Sequence, residues 1–128
     1  HFISSCLQRV LDGAPQITAE HSAVMDPRVK ELTHGRNFGF LATVNADGSP
    51  QVTPVWVDEE DRYVLVNTVE GRVKDRNTRR DPRVSMAVPD WQNPYRYAYV
   101  TGRVVEWVVG EKAELHIDKM AVKYTGEK

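Results

Sequence analysis

The sequence predicts a small α+β domain in which a mainly antiparallel barrel carries flanking helices. Three observations predict this class. Several short runs rich in β-branched residues are separated by turns, a charged stretch with helical spacing interrupts them, and apolar residues recur at helical spacing near the C-terminus. With 128 residues, the chain is long enough to bury the core of one domain without disulfides.

Composition excludes several functional classes. Lys and Arg number 17 against 18 Asp and Glu, and this balance argues against a dedicated nucleic-acid-binding protein. The single cysteine, Cys6, excludes an internal disulfide framework and a cysteine-based zinc site. Apolar runs fall short of the roughly 20 residues of a membrane span, and a secretory signal is missing. We therefore expect a cytoplasmic protein that binds neither nucleic acid nor a membrane.

The N-terminal region predicts a boundary near Met25. The chain begins with His1, and the residues that follow Met25 suit the start of a helix. This pattern suggests that residues 1–24 are a leader or an added extension and that residues 25–128 form the folded domain. The alternative is a native extension that contains its own short helix over residues 6–11.

Five runs are predicted as strands: residues 39–45, 50–58, 62–67, 83–88 and 95–107. Pro54 lies inside the second run and cannot donate to a ladder, so this strand is expected at an edge or a bulge, with backbone groups free for a ligand. In the last run, Tyr95, Tyr97 and Tyr99 share one face. Gly102 predicts a bend or bulge in the same strand.

Two further stretches are predicted as helices, in addition to the one after Met25. Residues 69–80 carry charges at helical spacing between the third and fourth strands. Residues 113–124 are amphipathic, because Ile117, Ala121 and Tyr124 recur at helical spacing.

A basic corner lies where the third strand leads into the first of these helices. Thr68 and Gly71 stand at the turn, and Arg72 and Lys74 follow. Free N–H groups at a helix start, a guanidinium and an ammonium could converge there on one phosphate. The alternative is a solvated basic helix face with intrahelical ion pairs.

Other candidate groups have two interpretations each. Trp56, Trp91 and the tyrosines of the last strand could stack on an aromatic ligand or partner, or could simply pack in a half-buried sheet. The other histidines, His21, His34 and His116, lack metal-ligand spacing and are expected at the surface or at helix ends. We predict no metal site and no nucleophilic triad, so a cofactor would carry any chemistry.

Four segments together resemble the pyridoxamine 5′-phosphate oxidase-like split β-barrel flavoproteins: residues 38–44 (FGFLATV), 47–56 (DGSPQVTPVW), 67–84 and 100–104 (VTGRV). Within this superfamily the chain is most similar to the oxidoreductases that use the deazaflavin coenzyme F420. The resemblance covers about residues 26–124. It implies a mainly β, α+β fold, namely a split β-barrel of the FMN-binding type with antiparallel Greek-key strands and flanking helices.

The resemblance implies an oxidoreductase that transfers a hydride from F420 to a small unsaturated or quinone-like organic substrate. It also implies a homodimer with two cofactor sites at its interface. The alternatives are an FMN-binding oxidase or reductase of the same fold, or a non-enzymatic flavin-binding or storage protein. Because the family has no universal catalytic acid or base, no catalytic residue is predicted.

The resemblance also assigns cofactor-binding roles by motif position. Residues at the phosphate end would be Arg72 and Lys74, supported by Thr68, Arg76 and Asn77. Residues that line the ring would be Thr53, Pro54, Val55 and Trp56, and Tyr95 and Tyr97 would reach the site from the partner subunit. Arg79 and Arg80 would stay at the surface or attract the acidic tail of the deazaflavin.

One departure from the family pattern concerns the barrel's last strand. The family usually has a further strand after the C-terminal helix, whereas this sequence stops at Lys128. Either that strand is absent here, or the barrel closes differently.

Overall fold

The structure, a computed structural model, describes residues 5–12, 27–60 and 63–126. The strands are β1 (Ser5–Asp12), β2 (Phe38–Val44), β3 (Pro50–Glu60), β4 (Tyr63–Val69), β5 (Arg83–Pro89) and β6 (Tyr97–Val109). The helices are α1 (Pro27–His34), α2 (Val73–Arg80) and α3 (Glu111–Thr125). Among the described residues, no helix combines the length and the apolar character needed to cross a bilayer.

The strands of the described residues form a closed antiparallel barrel in the order β1-β4-β3-β2-β5-β6. The three helices flank it, which confirms the predicted mainly β, α+β fold class. Its interior is filled by buried aliphatic residues, among them Leu41, Val57, Val66, Met86 and Val100. Buried residues alternate with more exposed ones along β2, β5 and the first part of β6, as a small barrel requires.

Strand β1 corrects one expectation. Residues 6–11 belong to a strand, so their interpretation as a short helix is wrong. A run of six residues fits both helical and strand periodicity. It forms a strand because β1 pairs with β4 on one side and with β6 on the other. Among the described residues, β1 closes the barrel by pairing with both β4 and β6, and the boundary at Met25 stays a prediction.

Strand β6 follows the predicted alternation. Ala98 and Val100 are buried, whereas Tyr97 and Tyr99 are exposed on the outer face. The irregularity predicted at Gly102 lies elsewhere, because that glycine pairs regularly with β5. The register against β1 shifts instead three residues further along β6, opposite the Arg9/Val10 step.

Strands β3 and β4 diverge, and this divergence positions the site. β3 pairs with β2 over residues 50–56, but among the described residues it pairs with β4 only over residues 57–60. The first half of β3 is therefore an edge towards β4, which confirms the expectation for Pro54. The end of β4, residues 67–69, pairs with β1 instead. A cleft opens between the two strands beyond the Val57–Val66 pair.

A glycine turn connects β4 to α2. Gly71 adopts a φ of 86°, a conformation that favours glycine, and α2 begins at Val73, later than the predicted start at residue 69. The Asp75 carboxylate accepts a hydrogen bond from the Gly71 N–H at 2.8 Å and so holds the turn against the helix.

Candidate functional site

A pocket of about 430 Å³ occupies the cleft between β3 and β4. The lining comes from the start of β2, from β3 and β4, from the start of α2 and from α3: Phe38, Pro54, Val55, Trp56, Asn67, Thr68, Val69, Arg72, Lys74 and Ile117. Its volume lies within the usual range of small-molecule and cofactor sites. The pocket has an apolar wall and a basic end, and each is described in turn.

Tyr124 of α3 packs against the apolar wall of the pocket and fixes its position. Trp56 stacks on the Tyr124 ring with centroids 5.3 Å apart and an interplanar angle of 4°. The Tyr124 hydroxyl accepts a hydrogen bond from the Val57 N–H at 3.0 Å and donates to the Asn37 carbonyl at 2.6 Å. Burial raises the pKa of Tyr124 to about 12, so this hydroxyl stays protonated at neutral pH. The indole plane is therefore fixed by the protein before any ligand binds.

The basic end is formed by Arg72 and Lys74. The Lys74 ammonium donates to the Thr53 hydroxyl at 3.2 Å. Burial, together with the nearby Arg72 charge, lowers the pKa of Lys74. In the described part of the chain, no carboxylate lies within ion-pair distance of either cation. A bound anion would relieve the repulsion between the two positive groups.

The N-terminus of α2 adds to this positive end. No side chain caps the helix at Arg72, and the first amides of a helix have no acceptor within it. Asp75, the one acid in the first turn, is buried and already engaged by Gly71 and by the Arg79 guanidinium at 3.0 Å. Uncapped amides, the helix dipole and two cations therefore favour an anion at this end of the pocket.

Two buried side-chain oxygens belong to residues of the pocket lining. Asn67 Oδ1 and Thr68 Oγ1 are buried without a hydrogen-bond partner, and both residues line the pocket. A buried polar atom left unpaired costs about 1–3 kcal/mol. A phosphorylated planar ligand fits this arrangement, because its phosphate, ring and hydrogen-bond donors would each meet a complementary surface.

Residues 25–127 match the family model described as pyridoxamine 5′-phosphate oxidase. The chain belongs to this family. A solved structure named F420 Reductase is 33% identical, with a TM-score of 0.68 and coverage of 79% of each chain. The conserved hypothetical protein Rv2991 from Mycobacterium tuberculosis is 28% identical, with a TM-score of 0.62 and coverage of 89% of this chain and 72% of its own. These similarities support a fold of the flavin- or deazaflavin-dependent oxidoreductase type.

The structure brings most of the predicted cofactor-binding residues of this family member into one place. Those in the pocket lining are Pro54, Val55, Trp56, Thr68, Arg72 and Lys74. Thr53 joins them through its hydrogen bond with Lys74. Trp56 packs on Tyr124 and also lines the pocket, so both interpretations of this residue fit its position, and its role in ligand binding stays a prediction.

The other predicted residues lie outside this lining. Asn77 is buried, and its amide donates to Thr43 Oγ1 at 3.0 Å and to Asn45 Oδ1 at 2.9 Å, which ties α2 to β2 and the turn that follows it. Arg76 is exposed on α2. Tyr95 precedes β6 and Tyr97 begins it, and both side chains are exposed on the outer surface.

Sequence reasoning missed His116, which was expected at the surface or at a helix end. Its side chain is only 11% exposed and lies between Asn67 and Asp58. Helical spacing carries the signal, since His116 follows the buried Ala113 by three residues and precedes the buried Met120 by four. His34 does lie exposed at the end of α1, and His21 lies outside the described residues.

A histidine and two acids also meet outside the pocket. The ligand atoms of His34, Asp58 and Glu59 lie within 4.8 Å of one another. Each carboxylate already faces a cation, because Asp58 lies 3.4 Å from Lys119 and Glu59 lies 3.8 Å from Lys30. The cluster is therefore accounted for by ion pairing.

Proposed function

We propose that this protein is an oxidoreductase that uses coenzyme F420 to transfer a hydride to a small unsaturated or quinone-like organic substrate. The observation that carries the proposal is the pocket itself, in which a fixed indole plane leads to two cations without carboxylate partners among the described residues. Similarity to a protein named F420 Reductase favours the deazaflavin among the cofactors that this family's fold could hold.

In this proposal the basic end holds the cofactor phosphate. Arg72 would offer a planar fork, Lys74 a point charge, and the first amides of α2 additional donors. Thr68 lies in the lining beside them, and Arg76 projects from the next turn of the same helix. Asn77 supports this end indirectly, because it fixes α2 against β2.

The apolar wall would position the ring. The edge formed by Pro54, Val55 and Trp56 presents backbone and side-chain surface to one side of a planar ligand, and Thr53 orients Lys74. The bound deazaflavin would supply the hydride. The protein's own contribution is to hold two reactive atoms close together and to exclude water, and we assign no residue as acid or base.

We also propose a homodimer. The outer face of the sheet carries two exposed aromatic residues, Phe40 of β2 and Tyr99 of β6. They lie on either side of Ala87 of β5, with which both are paired. Tyr97 is 62% exposed beside them, and such a patch is typical of a contact surface. A partner on this face would bring Tyr95 and Tyr97 towards the neighbouring pocket. Sedimentation should give a dimer mass, and Tyr99→Arg should shift it towards the monomer.

Absorption spectra and titrations test the cofactor. The protein as purified should be examined for bound chromophore, and oxidised F420 and FMN should then be titrated while ring fluorescence is followed. Binding of F420 in the micromolar range, with hydride transfer to an enone or quinone panel, is the expected result. Failure to bind F420 overturns the proposal. Purified protein that is yellow and releases FMN supports the FMN alternative, and tight binding without turnover supports storage.

A further inference from the structure

A chain of hydrogen bonds leads from the α3 side of the barrel to the pocket. Asp58 of β3 contacts His116 of α3, with Oδ2 and Nε2 3.0 Å apart. The other ring nitrogen, Nδ1, lies 2.9 Å from Nδ2 of Asn67, the first pocket residue of β4. Asp58 and Asn67 are 5% and 7% exposed, so the chain is shielded from solvent.

The acid fixes the direction of this chain. Burial alone would raise the pKa of Asp58, but the hydrogen bond from His116 and the charge of Lys119 lower it to about 2. The ionised carboxylate can only accept, so Nε2 of His116 donates to it. The Asn67 amide nitrogen can only donate, and it lies against Nδ1 of the same ring, so this contact holds the amide in one of its two orientations.

The remaining end of the amide is an acceptor without a partner. Asn67 Oδ1 is buried and unpaired, although the residue lines the pocket. Because His116 occupies the amide nitrogen, the side chain cannot rotate to exchange acceptor for donor without losing a hydrogen bond. A site with a fixed, unpaired acceptor selects ligands that bring a donor, since a ligand without one leaves the acceptor buried and unsatisfied.

We propose that Asn67 Oδ1 is a specificity-determining acceptor for an N–H or O–H donor of the bound cofactor, and that His116 and Asp58 are positioning residues that aim it. The inference rests on the proposed function. Flavins and deazaflavins share two sources of such a donor: the imide N–H of the ring and the hydroxyls of the chain that joins ring to phosphate. Both sources satisfy the same acceptor, and they can be separated experimentally.

The test compares dissociation constants for the cofactor and two analogues, one methylated at the imide nitrogen and one with a deoxygenated chain. F420 and FMN are used in parallel, each with its own analogues. We expect the wild type to bind one analogue about threefold to tenfold more weakly than its parent. Asn67→Ala should bind the unmodified cofactor more weakly by the same factor, and it should bind the cofactor and the analogue with equal affinity. Asn67→Asp retains an oxygen and should retain the discrimination.

His116→Ala is the second variant, and it also guards against a failure of the first to fold. It keeps the Asn67 side chain but frees its amide to rotate. The difference in affinity between cofactor and analogue should therefore become smaller, while the cofactor still binds. Asn93→Ala, the same truncation as Asn67→Ala but at an exposed loop residue, should match the wild type. A wild type that binds the cofactor without discriminating either analogue overturns this inference alone, as does an Asn67→Ala variant that discriminates fully. A wild type that binds neither cofactor overturns the proposed function and this inference with it.

Discussion

Truncation of Lys74 tests the basic end of the pocket. The ammonium is half-buried, contacts only a neutral hydroxyl and faces no carboxylate in the part of the chain that the structure describes. A phosphate at this position would form a charge-assisted hydrogen bond, which contributes about 1.5–3 kcal/mol. Lys74→Ala should therefore raise the dissociation constant of F420 or FMN by about tenfold to 150-fold. Titration monitored by ring fluorescence measures this change directly.

Controls separate the phosphate contact from a general effect. Lys112→Ala removes an exposed lysine of α3 and should leave affinity unchanged. Riboflavin lacks the phosphate, so the wild type and Lys74→Ala should bind it equally. An unchanged dissociation constant for the phosphorylated ligand, or an equal loss for riboflavin, would refute the assignment of Lys74 to the phosphate.

The same contact has a pH signature. In the ligand-free protein, burial and the Arg72 charge lower the pKa of Lys74, whereas a bound phosphate would raise it. Affinity should therefore fall as the pH rises through the lowered pKa, and binding should take up protons in that alkaline window. Calorimetry in buffers of different ionisation enthalpy detects this uptake, and Lys74→Ala should abolish it.

Three further predictions concern the scaffold. Burial raises the pKa of Asp58, but the hydrogen bonds from His116 and the Glu59 backbone and the charge of Lys119 together lower it from 3.8 to about 2. Asp58→Asn should therefore cost about 2 kcal/mol at pH 7, a deficit that disappears as the pH falls from 4 towards 2 in urea unfolding. Tyr124→Phe leaves the Val57 N–H without its acceptor and should lower the unfolding free energy by about 1–3 kcal/mol, measured by chemical denaturation. Gly39→Ala would place a Cβ 2.6 Å from the Val57 side chain and should cost about 1–3 kcal/mol, visible as a lower Tm, whereas Gly48→Ala meets no atom within 4 Å and should show only the cost of its positive φ.

The strands and helices of the barrel could be predicted because their local signals agree with their packing. Alternation in β6 gives the buried Ala98 and Val100, and helical spacing in α3 gives the buried Tyr124. β1 could not be predicted, because the partners that make it a strand are two edges far along the chain, in β4 and β6. The sequence of a short run does not indicate which distant strands will pair with it.

The candidate site was predictable to the extent that its residues are close in sequence. Arg72 and Lys74 follow a glycine turn, and Trp56 follows a proline that marks an edge, so each half of the pocket has a local signature. The hydrogen bonds of His116 behind the pocket have no such local signature in the sequence. His116 meets Asn67 across 49 residues and Asp58 across 58, and each contact exists only because α3 packs beside the cleft.

The divergence of β3 and β4 explains why both halves meet in one pocket. Pairing of the two strands ends at Val57 and Val66, so the next three residues on each strand have no partner across the cleft and face the pocket instead. Proline in β3 costs nothing there, since the strand has no ladder on that side to which its missing N–H could donate. The end of β4 leads through the glycine turn to the uncapped start of α2. The basic end of the pocket therefore follows directly after the β4 residues that line the cleft. One interruption of the ladder thereby creates the apolar wall, puts Asn67 in the lining of the pocket and places the cations beside both.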